Sequence, residues 1–93
     1  MIELDDFDYS PDELAWITPF IRLQRDIYLR IELKEKGKVV IRQKSSDGKL
    51  VRVPIKRHKD TDTFEFRISI IPKSMDIKIF TSTEPKSIRY AYI

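Results

Sequence analysis

The residues of this chain that could carry catalysis or hold a metal are few. There is no cysteine, and the single histidine, His58, stands in the run Lys56-Arg57-His58-Lys59-Asp60. Neighbouring cations disfavour protonation of an imidazole, and no serine lies beside it, so we interpret His58 as a loop residue. The carboxylates of Asp60, Asp62 and Glu65 lack the glycine and the spacing of an EF-hand calcium loop. We therefore expect a protein that is not an enzyme and that uses no metal or cofactor.

Charge is unevenly distributed along the chain. Residues 1–24 hold six acids and one base, a net charge of −5, whereas residues 25–93 carry a net charge of +8. Opposite charges in two segments of one chain indicate two surfaces with different partners, or surfaces of two copies that complement each other. The residues of the acidic head that we predict to bind a partner are Glu3, Asp5, Asp6 and Asp8.

Cations recur at alternate positions in the basic segment. If three consecutive strands pair as hairpins, these cations form two rows on the outer face of one sheet. The first row is Arg30, Arg42 and Arg52, and the second is Lys34, Lys38 and Lys56. Like charges opposed across strands are destabilising. Two interpretations stay open: a solvated face whose long side chains splay apart, or a surface that binds an anionic partner.

The elements that must position these charges are β-strands. Apolar residues alternate with polar ones in six segments, a period typical of strands with one buried face. The segments cover residues 27–33, 39–41, 51–55, 64–70, 75–79 and 88–92. The two glycines, Gly37 and Gly48, fit the last position of three-residue hairpin loops, which predicts a positive φ at both. This use leaves no glycine for a phosphate-binding or dinucleotide-binding loop.

Those loops set the predicted register. The first two pair Ile31 with Ile41, and Ile41 with Val53. Four-residue loops at 71–74 and 83–86 pair Ile79 with Phe66 and with Tyr90. Pro54 has no N–H, and in this register an N–H at that position would point away from the second strand. The third strand is therefore predicted to be an edge strand at this point.

The acidic head, residues 1–24, contains one sequence pattern typical of a helix N-terminus. Ser10 can act as N-cap, Pro11 suits the first helical position, and Glu13 completes a capping box. Pro19 disfavours helical geometry at the residue before it. We therefore predict a short helix at about residues 11–18, with Trp16 as a lid on the core.

These patterns predict an all-β fold in a single β domain, residues 1–93. We expect a small antiparallel sandwich, Ig-like or similar, of two three-stranded meanders with one short N-terminal helix. A small, partly closed β-barrel is the alternative. Residues 1–24 form the acidic N-terminal segment of the domain, and residues 25–93 form its basic β body.

The function that these features favour is that of a structural or interaction module. We expect it to dock into a larger protein assembly, such as a phage virion or a secretion machine, as an accessory protein. The expected partner is an acidic protein segment, from another copy in an oligomer or from another subunit. The alternative is a small nucleic-acid-binding barrel that uses the basic outer face of strands 1–3. Few outward aromatics and a net charge of only +3 make that alternative the weaker one.

The sequence also indicates where the protein works. Its N-terminus, MIELDDFDYS, is acidic where a secretory signal needs a basic start. The longest uninterrupted apolar run is four residues, against about 20 for a membrane span. We therefore expect no signal peptide, transmembrane segment or membrane partner, and an intracellular or virion-associated protein.

Overall fold

The structure is a computed structural model that describes residues 1–45, 47–55, 61–70 and 75–93. Ten β-strands occur in these residues. In chain order they are β1 (Ile2–Glu3), β2 (Asp8–Ser10), β3 (Ala15–Ile17), β4 (Ile21–Leu23), β5 (Ile27–Leu33), β6 (Val39–Lys44), β7 (Leu50–Arg52), β8 (Thr63–Ile68), β9 (Met75–Thr81) and β10 (Pro85–Tyr92). The longer strands form where apolar and polar residues alternate, as the sequence predicts.

The strands form two antiparallel sheets. The four-stranded sheet has the order β1-β10-β5-β8. The six-stranded sheet has the order β2-β3-β9-β6-β7, and β4 pairs with β9 beside β3. The prediction of an all-β antiparallel fold is confirmed, and the described strands do not close into a barrel.

The core lies between the two sheets and takes its residues from both. Ile27, Leu29 and Ile31 of β5 belong to the same core cluster as Ile77 and Ile79 of β9, and each of these side chains is at most 1% exposed. Burial of one such side chain contributes about 1.5–3 kcal/mol to folding. Because every second residue is committed to this core, the residues between them face outward and are available for binding.

The pairing of the first two long strands differs from the prediction. β5 and β6 belong to different sheets, so the predicted pair Ile31–Ile41 is wrong. Ile31 lies opposite Ile88 and Phe64 instead, and Ile41 lies opposite Ile79.

The predicted meander in the second half of the chain is also wrong. Phe66 and Tyr90 both lie opposite Leu29, on its two sides, rather than opposite Ile79. Consecutive long strands in this half therefore alternate between the sheets instead of forming hairpins. The predicted loop at 71–74 lies outside the described residues.

Two of the connections that pass from one sheet to the other are joined by hydrogen bonds. The connection from β5 to β6 lies against the connection from β9 to β10. The Lys34 N–H donates to the Glu84 carbonyl (2.9 Å), and the Lys38 N–H donates to Ser82 Oγ (2.7 Å). These partners are 44 or more residues apart in the chain. The sequence of either connection alone therefore does not predict these hydrogen bonds.

The two glycines serve different purposes. Gly48, in the loop between β6 and β7, has a φ of 85°, as predicted for a residue in the left-handed region. The same prediction for Gly37 is wrong, because its φ is not positive. A Cβ at Gly37 would lie 2.6 Å from Thr83 Oγ1 and 2.7 Å from Ser82 Oγ. Gly37 therefore permits the close approach of the two crossing connections.

The predicted helix at residues 11–18 is not formed. Ser10 Oγ does accept a hydrogen bond from the Glu13 N–H (3.3 Å), as a capping box requires. Residues 11–14 nevertheless form only the turn between β2 and β3, because the aromatic and β-branched residues that follow favour a strand. Leu14 closes the turn with a φ of 53°. Among the described residues, no helix has the length and hydropathy needed to cross a membrane.

Candidate anion-binding face

The outer face of the six-stranded sheet carries a row of three cations. Arg42 in β6 lies opposite Arg52 in β7 and opposite Lys78 in β9. Side chains directly opposite each other on neighbouring strands are about 5 Å apart at Cβ, and like charges there repel. None of the three forms an ion pair with another described residue. The row is therefore a concentration of positive charge without an ion pair in the described part of the chain, since Asp76, the nearest outward carboxylate on β9, is paired with Arg22.

Two phenyl rings lie among these cations. The guanidinium carbon of Arg42 is 4.7 Å from the centre of the Phe80 ring, which is only 8% exposed. The Nζ atoms of Lys78 and Lys44 are 4.6 Å and 5.5 Å from the centre of the Phe20 ring. Each such contact contributes about 0.5–1 kcal/mol at an exposed site. We call this surface the basic-aromatic face: Phe20, Arg42, Lys44, Arg52, Lys78 and Phe80.

Phe20 reaches this face because the chain has one extra residue between β3 and β4. Both strands pair with β9, but residues 18–20 lie opposite only two residues of that strand. Pro19 has no N–H to donate, and Thr18 satisfies the ladder at the break. The Thr18 N–H donates to the Ile79 carbonyl (3.1 Å), and the Ile79 N–H donates to Thr18 Oγ1 (3.0 Å). This bulge reverses the alternation, so Phe20 faces outward while β4 keeps its apolar residues on the core side.

A second row of charges, on the four-stranded sheet, has its own counter-charges. Glu3, Arg89, Arg30 and Glu65 lie opposite one another across all four strands. Arg89 Nε is 3.9 Å from Glu3 Oε1, and Arg30 Nε is 3.6 Å from Glu65 Oε1. Arg30 Nη2 also lies 3.3 Å from Glu32 Oε1. Both arginines of this row, Arg30 and Arg89, therefore have a carboxylate beside them, in contrast to the cations on the other sheet.

The three arginines predicted to form one row are divided between these two sheets. Arg42 and Arg52 lie opposite each other, as predicted. The prediction that Arg30 lies opposite Arg42 is wrong, because β5 belongs to the four-stranded sheet. That error follows from treating the connection after β5 as a hairpin loop.

The three lysines of the second predicted row do not form a described row either. Lys34 forms an ion pair with Glu84 (2.8 Å) beyond the end of β5. Lys38 is exposed in the connection between β5 and β6. Lys56 lies outside the described residues. A partner-binding role for any of them stays a prediction.

The acidic head crosses from one sheet to the other. Glu3 in β1 is engaged with Arg89, whereas Asp5, Asp6 and Asp8 form no ion pair with a described residue. Asp8 stands on β2, at the opposite edge of the six-stranded sheet from β7. Four strand spacings of about 4.8 Å separate these edges by about 19 Å. Asp8 is therefore too far away to neutralise the β7 end of the cation row in its own chain.

Four members of the basic-aromatic face were not predicted: Phe20, Lys44, Lys78 and Phe80. The alternation of β6 places Lys44 on the same face as Arg42, which is a signal that the sequence contains. Lys78 and Phe80 alternate with core residues in β9, but their neighbours depend on the non-local pairing of β6 with β9. Phe20 depends on the bulge.

The titratable groups with shifted pKa values have structural causes. A hydrogen bond with the Glu65 carboxylate, with a further contribution from burial, raises the pKa of Tyr28. Burial raises the pKa of Tyr90. A hydrogen bond from the Ser45 hydroxyl lowers the pKa of Asp47 in the loop between β6 and β7. None of the three is a member of the basic-aromatic face.

Of the residues first considered for catalysis or metal binding, Asp62 and Glu65 lie in the described part of the chain. His58 and Asp60 lie outside the described residues, so the interpretation of both stays a prediction. Asp62 is exposed and accepts a hydrogen bond from the Thr63 hydroxyl (3.2 Å). Within the described ranges, no group of three or more His, Cys, Asp or Glu side chains is placed to hold a metal ion.

Comparison with known proteins does not identify a relative. No protein-family model, curated protein or solved structure matches the chain. The Ig-like assignment therefore stays a prediction, and the function must be argued from the basic-aromatic face itself.

Proposed function

We propose that this chain is a non-enzymatic binding module that docks into a larger protein assembly, and that its basic-aromatic face receives an acidic segment of a partner protein. The observation that carries the proposal is the row Arg52–Arg42–Lys78, whose members form no ion pair with a described residue. Carboxylates placed against this row would replace repulsion between cations with attraction. The compensated row on the four-stranded sheet indicates that the difference is local and not an effect of a basic composition.

Apolar residues beside the cations specify the partner further. Val40 and Ile17 both lie opposite Phe80 and are half-buried on the same outer face. The Phe20 side chain is 42% exposed. A segment that combines carboxylates with at least one large apolar side chain would bury this surface and pair with the cations.

The contacts that already cover the Phe20 and Phe80 rings favour a protein partner over a nucleic acid. Phe80 is nearly buried beneath Arg42, and two lysine ammonium groups lie over the Phe20 ring. Single-stranded nucleic acid binds by stacking bases flat on exposed rings; Phe80 is not exposed, and a base stacked on Phe20 would compete with the two lysine contacts. The net charge of +3 also provides little long-range attraction for a polyanion.

The assembly proposed here is an oligomer or a multi-subunit particle, of the virion or secretion-machine kind. Its support is the division of charge across one sheet, with acids near the β2 edge and cations toward the β7 edge. A module with two complementary edges suits repeated contacts between neighbouring subunits.

A binding measurement with charge-reversal variants tests the proposal. The ligand is a fluorescent peptide of alternating glutamate and leucine, measured by anisotropy at low salt. The double variant Arg42→Glu/Lys78→Glu should weaken binding by about 2 kcal/mol, or about 30-fold, because two attractions become two repulsions. Several-fold more salt should weaken binding to the unaltered protein as well.

The control variant is Lys86→Glu, which reverses one exposed charge on β10 of the four-stranded sheet. Its affinity should remain near that of the unaltered protein, and circular dichroism should confirm that all variants are folded. A peptide affinity that ignores the double variant would exclude this face as the binding site. Tighter binding of a single-stranded oligonucleotide with the same number of charges would replace the proposed partner class with nucleic acid.

A further inference from the structure

The turn between β2 and β3 combines carboxylates with a large apolar side chain, the composition proposed for the partner of the basic-aromatic face. Its last three residues are Asp12, Glu13 and Leu14, and all three are exposed. Leu14 is 72% exposed, more than any other large apolar side chain among the described residues. Neither Asp12 nor Glu13 forms an ion pair with a described residue. Two carboxylates and one leucine are thus presented together at the end of a paired hairpin.

The turn does not reach the basic-aromatic face of its own chain. In the pairing of β3 with β9, Trp16 lies opposite Thr81, the last residue of β9. The turn continues beyond that end of the strand. Lys78 lies in the opposite direction along β9. The two surfaces therefore complement each other in charge and apolar character but are separated within one molecule.

We propose that the basic-aromatic face of one copy of this chain is occupied by the β2–β3 turn of a second copy. The carboxylates of Asp12 and Glu13 pair with the row that contains Arg42 and Lys78, and Leu14 packs against the exposed part of the Phe20 ring. This inference rests on the proposed function and names its partner. Because the two contacting surfaces are different, one copy of the pair keeps a free turn and the other keeps a free face. The contact is heterologous and adds copies head to tail, to form a ring or a filament.

A single contact of this size is weak on its own. A four-residue turn on part of one sheet buries less than a standard protein interface, which places it among transient contacts. Closure of a ring, or contacts of each copy with two neighbours, strengthens the assembly without any new kind of contact. Self-association is therefore expected at low salt and high protein concentration.

The experiment uses two variants that lack complementary halves of the contact. The turn variant, Asp12→Asn/Glu13→Gln/Leu14→Asn, removes both charges and the apolar side chain, and asparagine suits the positive φ at position 14. The face variant is Arg42→Glu/Lys78→Glu. Sedimentation velocity of each should show self-association weakened at least about tenfold relative to the unaltered chain.

The mixture of the two variants is the decisive sample. The turn variant offers an intact face and the face variant offers an intact turn, so an equimolar mixture should form a heterodimer and stop there. The control Glu35→Gln/Asp62→Asn removes two exposed negative charges outside the turn and should associate like the unaltered chain. A mixture that stays monomeric, or a control as defective as the turn variant, would overturn the inference.

The peptide measurement separates this inference from the proposed function. If the face binds the acidic peptide but the unaltered chain stays monomeric at every concentration, the second copy is the wrong partner and the proposed function stands. If the face binds neither the peptide nor a second copy, both are wrong. If only the single-stranded oligonucleotide binds, both are wrong and the partner is a nucleic acid.

Discussion

The uncompensated cation row predicts that one charge reversal stabilises the fold while it impairs binding. In Arg52→Glu, the residue opposite Arg42 changes from a like charge to an opposite charge. A directly opposed pair contributes about 0.2–1 kcal/mol in either direction. The change removes a repulsion and adds an attraction, so the free energy of unfolding should rise by about 1 kcal/mol. For a domain of this size, that corresponds to a rise of about 4–8 °C in Tm.

The assay is urea unfolding monitored by circular dichroism, together with peptide binding. Arg52→Gln removes only the repulsion and should give about half of the gain in stability. The gain should shrink at high salt, because the side chain of Arg52 is exposed and its interactions are screened. Both variants should bind the acidic peptide more weakly than the unaltered protein. Arg52→Glu, the more stable of the two, should bind it the more weakly.

The same substitution on the other sheet provides the matched control. Arg89 lies between Glu3 and Arg30, so Arg89→Glu loses one attraction and gains another. Its free energy of unfolding should change little. The reasoning is refuted if Arg52→Glu is no more stable than the unaltered protein at low salt, or if Arg89→Glu is stabilised as much as Arg52→Glu.

Three further predictions concern single groups. Leu14→Gly should raise the free energy of unfolding by about 0.5–1 kcal/mol in urea titrations, because glycine adopts the φ of 53° without strain. Thr18→Ala should be about 1–2 kcal/mol less stable than Thr18→Ser, since only serine keeps an acceptor for the buried Ile79 N–H, and equal stabilities would contradict this account of the bulge. Tyr28 should ionise above its ordinary pKa of 10.0 in an ultraviolet titration, and Glu65→Ala should lower that pKa. The stability that Tyr28 contributes should be fully present below pH 10.0 and lost as the pH rises through the higher pKa of the folded state.

The strands and the core could be predicted from the sequence, but the sheets could not. Alternation assigns Ile31 and Ile41 to the core whichever sheet they occupy, because both sheets face the same interior. What decides the sheet is whether a connection turns back or crosses over. The connection through Gly48 turns back, and its glycine and short length are a local signal. The connection through Gly37 crosses over, and the reason is its contact with Ser82 and Thr83, which are distant in sequence.

The N-terminal turn shows a similar limit on local reasoning. The capping hydrogen bond from the Glu13 N–H to Ser10 Oγ was predicted correctly from residue types. A helix needs more than a start, and Pro19 leaves room for only about two turns. In the structure β3 pairs with β2 on one side and with β9 on the other, so its backbone groups find partners in both neighbours. The tertiary contact therefore overrides the local signal.

The contrast between the two charge rows is the strongest argument that the basic-aromatic face serves binding. Residues 25–93 hold 17 bases and nine acids, so some opposed cations are expected on any outer face. On the four-stranded sheet, the opposed pair Arg30–Arg89 has a glutamate on each side. On the six-stranded sheet, positions 52 and 78 flank Arg42 in the same way, and both are cationic. A polar or acidic residue at either position would fit the same outer surface and remove a repulsion, so the fold alone gives no reason for this choice. A partner that brings carboxylates to the row supplies that reason.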